Sequence, residues 1–172
     1  MKIAISGTPG TGKTEVSKEL SKILNYTYID LNELIEKGGL VEGFDSKRKS
    51  KIVDTKKLEK LEIPDNSVID GHLSHFIPVD LVIILRTRPN ILKKRLENKG
   101  WNSSKVQENV DAEILGICSS EAEDNGQKFV EIDTTDKNPR EIAELIKEMI
   151  ESNKFDTEEI DWLEDYSEML GD

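Results

Sequence analysis

At 172 residues, with 35% apolar and 5% aromatic residues, the chain has the length and composition of one domain built on a single core. Its lone cysteine, Cys118, excludes an intrachain disulfide and any cysteine-rich metal site, which fits a reducing compartment, and its simplest reading is a small buried apolar residue. The formal charge of −11 is uneven: Asp156 to Asp172 holds eight acidic and no basic residues, leaving 27 acids against 24 bases elsewhere, so phosphate backbones are excluded as ligands of that segment while a basic protein partner is not.

Along the chain, Lys2 to Ser6 is short, apolar and β-rich, and it ends in a Gly-rich turn followed by helical spacing at Val16, Leu20, Ile23 and Leu24. Tyr26 to Asp30 reads as a second strand. Glu36 to Lys51 breaks the pattern: it bears glycines and a basic cluster at Lys47, Arg48, Lys49 and Lys51, and reads either as a substrate-covering insertion or as a surface loop. Val68 to Asp70 and Leu81 to Leu85 are further strands, the latter continuously apolar as a strand buried on both faces requires. Pro89 to Lys99 reads as a helix with proline at its start, Gly100 to Lys105 as a break, and Ser103 to Glu123 as a longer helix. A fifth strand, Phe129 to Asp133, precedes a helix over Pro139 to Ser152 capped by Asn138, with Ile142, Leu145, Ile146, Met149 and Ile150 on one face. This alternation predicts an α/β fold, a three-layer sandwich with about five parallel strands, helices on both faces, and ligands at the carboxyl ends of the strands. No apolar run approaches the roughly 20 residues that cross a bilayer, and Met1 opens straight into a strand, so no membrane partner and a cytoplasmic location are expected.

Gly7, Thr8, Pro9, Gly10, Thr11, Gly12, Lys13 and Thr14 match G-x-x-x-x-G-K-[ST] after a strand and before a helix. Glycines let backbone N–H groups converge on phosphate, the helix N-terminus adds positive potential, Lys13 reaches the β/γ oxygens and Thr14 ligates Mg²⁺. The residues expected to contact ATP are therefore Gly10, Thr11, Gly12, Lys13, Thr14 and Glu15. Asp70, at the end of its strand, is expected to help hold Mg²⁺ and orient the attacking oxygen, and His72, two residues on, to order water or acceptor. Arg86, Arg88, Arg95 and Lys99 supply cations beside the fourth strand, with Arg95 and Lys99 on one helix face. The absence of an N-K-x-D sequence argues against guanine and for adenine; Lys137, after the fifth strand, is loosely placed to pack on a purine.

These residues together resemble the isoenzyme-six adenylate kinase family. The likeness spans nearly the whole chain and rests on G-T-P-G-T-G-K-T at Gly7 to Thr14, V-E-G-F-D at Val41 to Asp45, V-I-D-G-H at Val68 to His72, I-L-R-T at Ile84 to Thr87, and Q-E-N-V-D-A-E-I at Gln107 to Ile114. It implies a P-loop kinase with reversible phosphotransfer from ATP to a nucleoside monophosphate such as AMP, an ATPase activity, an acceptor-covering region near 30–53 and a short lid near 99–109. It further implies a small-subunit ribosomal protein with a basic tail as partner, and a role in maturing that subunit and its RNA. The chain departs from ordinary adenylate kinases in carrying His72, Leu73 and Ser74 after the strand-end aspartate. Within the family's own pattern, Lys99 stands where an arginine beside the lid glycine is frequent, so the resemblance implies a contact of Lys99 with the nucleotide that stacks less well on adenine, and Glu15 stands where a second threonine is frequent.

The expected catalytic set is Lys13, Asp70, His72 and Arg95, with Thr14 and Asp70 at the metal. Two other readings stay open: an ATP-driven assembly factor whose acidic segment, with Ile160, Leu163 and Leu170, docks a partner or simply packs as a final helix, and a kinase for another small acceptor.

Overall fold

The structure is a computed structural model that describes residues 1–46, 50–155 and 160–171. The basic cluster of Lys47, Arg48, Lys49 and the Lys51 side chain lies outside the described residues, as do Asp156, Glu158, Glu159 and Asp172 of the acidic segment.

In chain order the elements are β1 (Lys2–Ser6), α1 (Lys13–Leu24), β2 (Thr27–Asp30), α2 (Leu31–Lys37), β3 (Val41–Asp45), β4 (Ser50–Val53), α3 (Thr55–Leu58), β5 (Ser67–Asp70), β6 (Leu81–Arg86), α4 (Pro89–Asn98), α5 (Ser103–Ile114), α6 (Ile117–Asp124), β7 (Phe129–Asp133), α7 (Pro139–Ser152) and α8 (Trp162–Tyr166). Five strands form one parallel sheet in the order β2-β5-β1-β6-β7. Because β1 pairs β5 on one side and β6 on the other, the loop leaving Ser6 emerges at the middle of the sheet's carboxyl edge, where open α/β sheets bind ligands.

Alternation along the strands explains the layers. Ile3 and Ile5 of β1 face α1 and α7, packing with Val16, Leu20, Ile142 and Ile146, whereas Ala4 faces the other way with Val82, Ile84 and Ala122 of α6. Asn138 accepts from the N–H groups of Arg140 and Glu141 while Glu141 returns to the Asn138 N–H, a full capping box that starts α7 where its sequence requires.

Two expected features take a different form. The helix over Ser103 to Glu123 divides into α5 and α6 at Gly116, whose φ of 61° is left-handed. The left-handed glycine ends the helical run locally, and Arg86 Nη2 meets the end of α5 there by donating to the Glu113 carbonyl at 2.8 Å. The glycine-bearing stretch after Glu36 holds an antiparallel hairpin, β3 with β4, with a register shift between Val41 and Gly43 and Phe44 63% exposed.

Residues 160–171 fold back on the domain. Tyr166, Met169 and Leu170 pack on the α4–α5 cluster of Leu92, Leu96, Val106, Val110 and Ile114, and Trp162 Nε1 donates to Glu113 Oε1 at 3.2 Å. Leu163 alone of the three apolar residues singled out in this segment is exposed.

Candidate active site

The loop between β1 and α1 is held open by glycine. Gly7 has φ 133°, and a Cβ there would lie 2.4 Å from the Leu85 carbonyl oxygen, so any side chain would push β1 and β6 apart. Gly12, at φ 95°, caps α1 without a side-chain acceptor, which leaves the first N–H groups of the helix facing the loop's concavity.

Lys13 Nζ curls onto its own loop, donating to the carbonyls of Gly7 at 2.8 Å and Thr8 at 3.0 Å. Thr14 Oγ1 donates to Asp70 Oδ2 at 2.6 Å, and the Tyr28 hydroxyl donates to the same oxygen at 3.0 Å. Asp70 is nearly buried at 5% exposure. The register Asp30↔Asp70 and Ile5↔Asp70 puts Asp70 in the centre of three strand ends, directly beside the start of α1. Uncapped helix amides, an ammonium and a threonine–aspartate pair of hard oxygens are the donor set that a magnesium nucleotide takes, so the residues present fit both ATP and Mg²⁺.

The rest of the edge braces this groove. Thr134 Oγ1 contacts the Thr11 and Arg86 carbonyls, each at 3.0 Å, and lies 2.8 Å from Thr87 Oγ1. Arg95 Nη1 crosses from α4 to the Gly10 carbonyl at 3.3 Å, placing the expected arginine over the phosphate loop. Lys99 is exposed at the end of α4, with its charge felt at Lys13; Glu15 is exposed on the first turn of α1, and Lys137 reaches back to the Asp133 carbonyl at 3.2 Å beside the Thr134–Thr11 contact. His72 stands on the rim with an exposed side chain, its carbonyl accepting from Ser6 Oγ at 3.0 Å. Arg86 is not at the phosphate groove: buried, it is spent on Glu113 and Glu131. Tyr28 is the site residue that the sequence did not disclose, because its meeting with Asp70 depends on strand register and not on spacing.

Electrostatics set two protonation states. Desolvation under the loop lowers Lys13 to about 8, against the pull of anionic groups that include Asp70. His72 is pushed down toward about 4 by the surrounding protein first and then by the charges of Lys13 and His75; with its ring still open to water, the consequence that holds is a neutral imidazole at pH 7. For Lys13 the sign gives a prediction. Bound phosphate favours the charged amine, so polyphosphate affinity is level below about pH 8 and falls by up to about tenfold per pH unit above it, measured by nucleotide titration between pH 7 and 9.5.

Over residues 3–116 the sequence matches the family model described as an AAA domain. It is 39% identical to a protein of Thermococcus onnurineus named "Putative adenylate kinase", covering 100% of this chain and 99% of that one. A protein of the same name from Methanocaldococcus jannaschii is 41% identical, covering 99% of this chain and 97% of its own. Among solved structures, shikimate kinase from Acinetobacter baumannii superposes with a TM-score of 0.63 at 21% identity over 90% of this chain and 95% of that chain, a likeness of fold. With full-length relatives at this identity and a phosphate loop of this build, the chain belongs to the adenylate kinase family of P-loop nucleoside monophosphate kinases.

Proposed function

We propose that the protein transfers the γ-phosphoryl group of ATP reversibly to a range of nucleoside monophosphates, AMP foremost, giving two diphosphates. The observation that carries this reading is the Lys13–Thr14–Asp70 cradle at the centre of the sheet edge. In the transfer, the bond from the γ-phosphorus to the bridging oxygen of ADP breaks and a bond to an acceptor phosphate oxygen forms, so the protein's task is position and charge. Lys13 leaves its loop carbonyls for the β/γ oxygens, and the amides at the start of α1 take the β-phosphate. Thr14 and Asp70 would hold Mg²⁺, which would supply positive charge to offset that of the phosphates. Arg95 approaches from α4 and neutralises charge on the transferring group. Neutral His72 offers one ring N–H and one lone pair to an acceptor or a water. The hairpin β3–β4 and the region 30–53 supply the acceptor side, and the turn at 99–102 with the start of α5 forms the lid over 99–109.

The same site supports a slow ATPase when water replaces the acceptor. Agreement with the isoenzyme-six motifs at Val68 to His72 and Gln107 to Ile114, and the acidic excess after Asp156, support a finer reading: a cytoplasmic protein that meets a basic-tailed ribosomal protein of the small subunit and acts late in that subunit's maturation. Packing of Tyr166, Met169 and Leu170 on the core leaves Leu163 and the exposed Asp161, Glu164, Asp165 and Glu168 as the part of the described segment available to a partner.

The test is ADP formation from ATP and Mg²⁺ with and without AMP. The expected result is AMP-dependent ADP formation that consumes AMP. ADP release indifferent to AMP would replace the kinase with an ATP-driven assembly factor, and turnover of another metabolite alone would reassign the acceptor.

A further inference from the structure

Behind the phosphate loop lies a group of side chains that the kinase chemistry does not use. His75, wholly buried in the turn Ser74–Phe76, sits between Ser6 of β1 and the first turns of α6. Its Nδ1 is 2.7 Å from Ser6 Oγ and its Nε2 is 3.0 Å from Glu121 Oε2. The Cys118 sulfur, one turn before Glu121 on α6, completes a set whose ligand atoms all lie within 4.8 Å of one another, the only such trio of His, Cys, Asp or Glu among the described residues.

Ser6 Oγ has one hydrogen to give and lies within reach of two acceptors, the His72 carbonyl at 3.0 Å and His75 Nδ1 at 2.7 Å. Given to Nδ1, the hydrogen leaves Nε2–H to donate to Glu121; given to the carbonyl, it leaves Nδ1–H to donate to the hydroxyl and turns the Nε2 lone pair toward the Glu121 side. The second tautomer is the one a divalent ion selects, and such an ion also engages the sulfur, which a histidine–carboxylate hydrogen bond leaves unused.

We propose that His75 Nε2, the Cys118 thiolate and Glu121 Oε2 form a binding site for a zinc-class divalent cation, distinct from the Mg²⁺ position at Thr14 and Asp70. Nitrogen, sulfur and oxygen ligands in tetrahedral zinc sites stand roughly 3 to 4 Å apart, and the His75–Glu121 separation is already there. A thiolate, a carboxylate and a neutral imidazole sum to the charge that balances a dication. With the ion on Nε2, Nδ1–H donates to Ser6 Oγ, 2.7 Å away, the outer contact that metal-bound histidines keep. Thiolate selects against Mg²⁺, while the hard oxygens of Thr14 and Asp70 select for it. Partial exposure of Cys118 and Glu121 provides the way in. Since burial pushes the Cys118 thiol up to about 12, binding displaces its proton to solvent. A bound ion would tie α6 to the turn that holds Ser6, the residue immediately before Gly7.

Co²⁺ is the probe. Full-length protein is stripped with chelator, its single thiol is shown to be reduced, and Co²⁺ is titrated while absorbance is followed. The expected result is saturation at one Co²⁺ per chain, with a near-ultraviolet thiolate-to-cobalt charge-transfer band and the strong visible bands of a four-coordinate ion, displaced by Zn²⁺. Cys118→Ser should abolish the charge-transfer band. Glu121→Gln, at a partly exposed position that folding tolerates, should weaken binding, and Ser6→Ala should do so by about 10- to 100-fold. A titration without a thiolate band, or one in which Glu121→Gln binds as tightly as the parent, would overturn the site and leave a proton between His75 and Glu121.

Discussion

Lys13→Ala is expected to lower turnover by at least about 10²- to 10³-fold while the melting temperature stays within a few degrees of the parent, measured by coupled ADP formation and thermal unfolding. The two effects separate because of where the amine spends its time. Its hydrogen bonds to the Gly7 and Thr8 carbonyls are exchangeable for phosphate oxygens, so the group that leaves the loop is the group that stabilises the transferring charge. For stability the sign runs the other way. A lysine lowered to about 8 in the folded state holds its proton less tightly than in the unfolded chain, so at pH 7 its charge opposes folding and removing it costs little. Unimpaired turnover in this variant would reject the cradle as the reacting centre, and a collapse of the melting temperature would show that the amine serves the loop's structure.

Glu113→Ala should have the largest effect on stability, about 3 to 5 kcal/mol, or a melting temperature lower by roughly 6 to 20 °C. Glu113 is 1% exposed, and its Oε1 accepts from Arg86 Nε at 2.9 Å, from the Thr87 N–H at 3.0 Å and from Trp162 Nε1 at 3.2 Å. Truncation orphans three buried or half-buried donors from two segments of the chain, and it leaves the Arg86 guanidinium with Glu131 as its remaining carboxylate. Thermal unfolding at pH 7 checks this; a loss under 1 kcal/mol would mean that water or Glu131 takes over the vacated contacts. Because Thr87 touches Thr134, and Thr134 the Thr11 carbonyl, weakened nucleotide affinity should accompany the loss.

The strands were legible because a parallel sheet demands residues buried on both faces, and Leu81 to Leu85 can be little else. The phosphate loop was legible because its chemistry is local: glycine, lysine and threonine act within one turn of chain. Asn138 announced α7 for the same reason. What stayed hidden depends on partners distant in sequence. Tyr28 meets Asp70 only through the β2–β5 register. Arg86, far upstream in sequence, meets the Glu113 carbonyl at the end of α5. Arg86 itself reads as a phosphate ligand by its place at a strand end, and only the two carboxylates that enclose it show otherwise. His75 lies three residues from His72, yet its partners come from β1 and α6.

The order in which these contacts form bears on synthesis. Although Lys2–Ser6 is synthesised before them, it is flanked in the sheet by Ser67–Asp70 and Leu81–Arg86. A nascent chain therefore carries the nucleotide loop's whole sequence long before it can hold the loop's shape. ATP, plentiful around every growing chain, has nothing to grip until β6 is docked, and so cannot trap a partly made intermediate. Nucleotide binding then stabilises only molecules whose central strands are already in place, which makes ligand occupancy a report on completed folding.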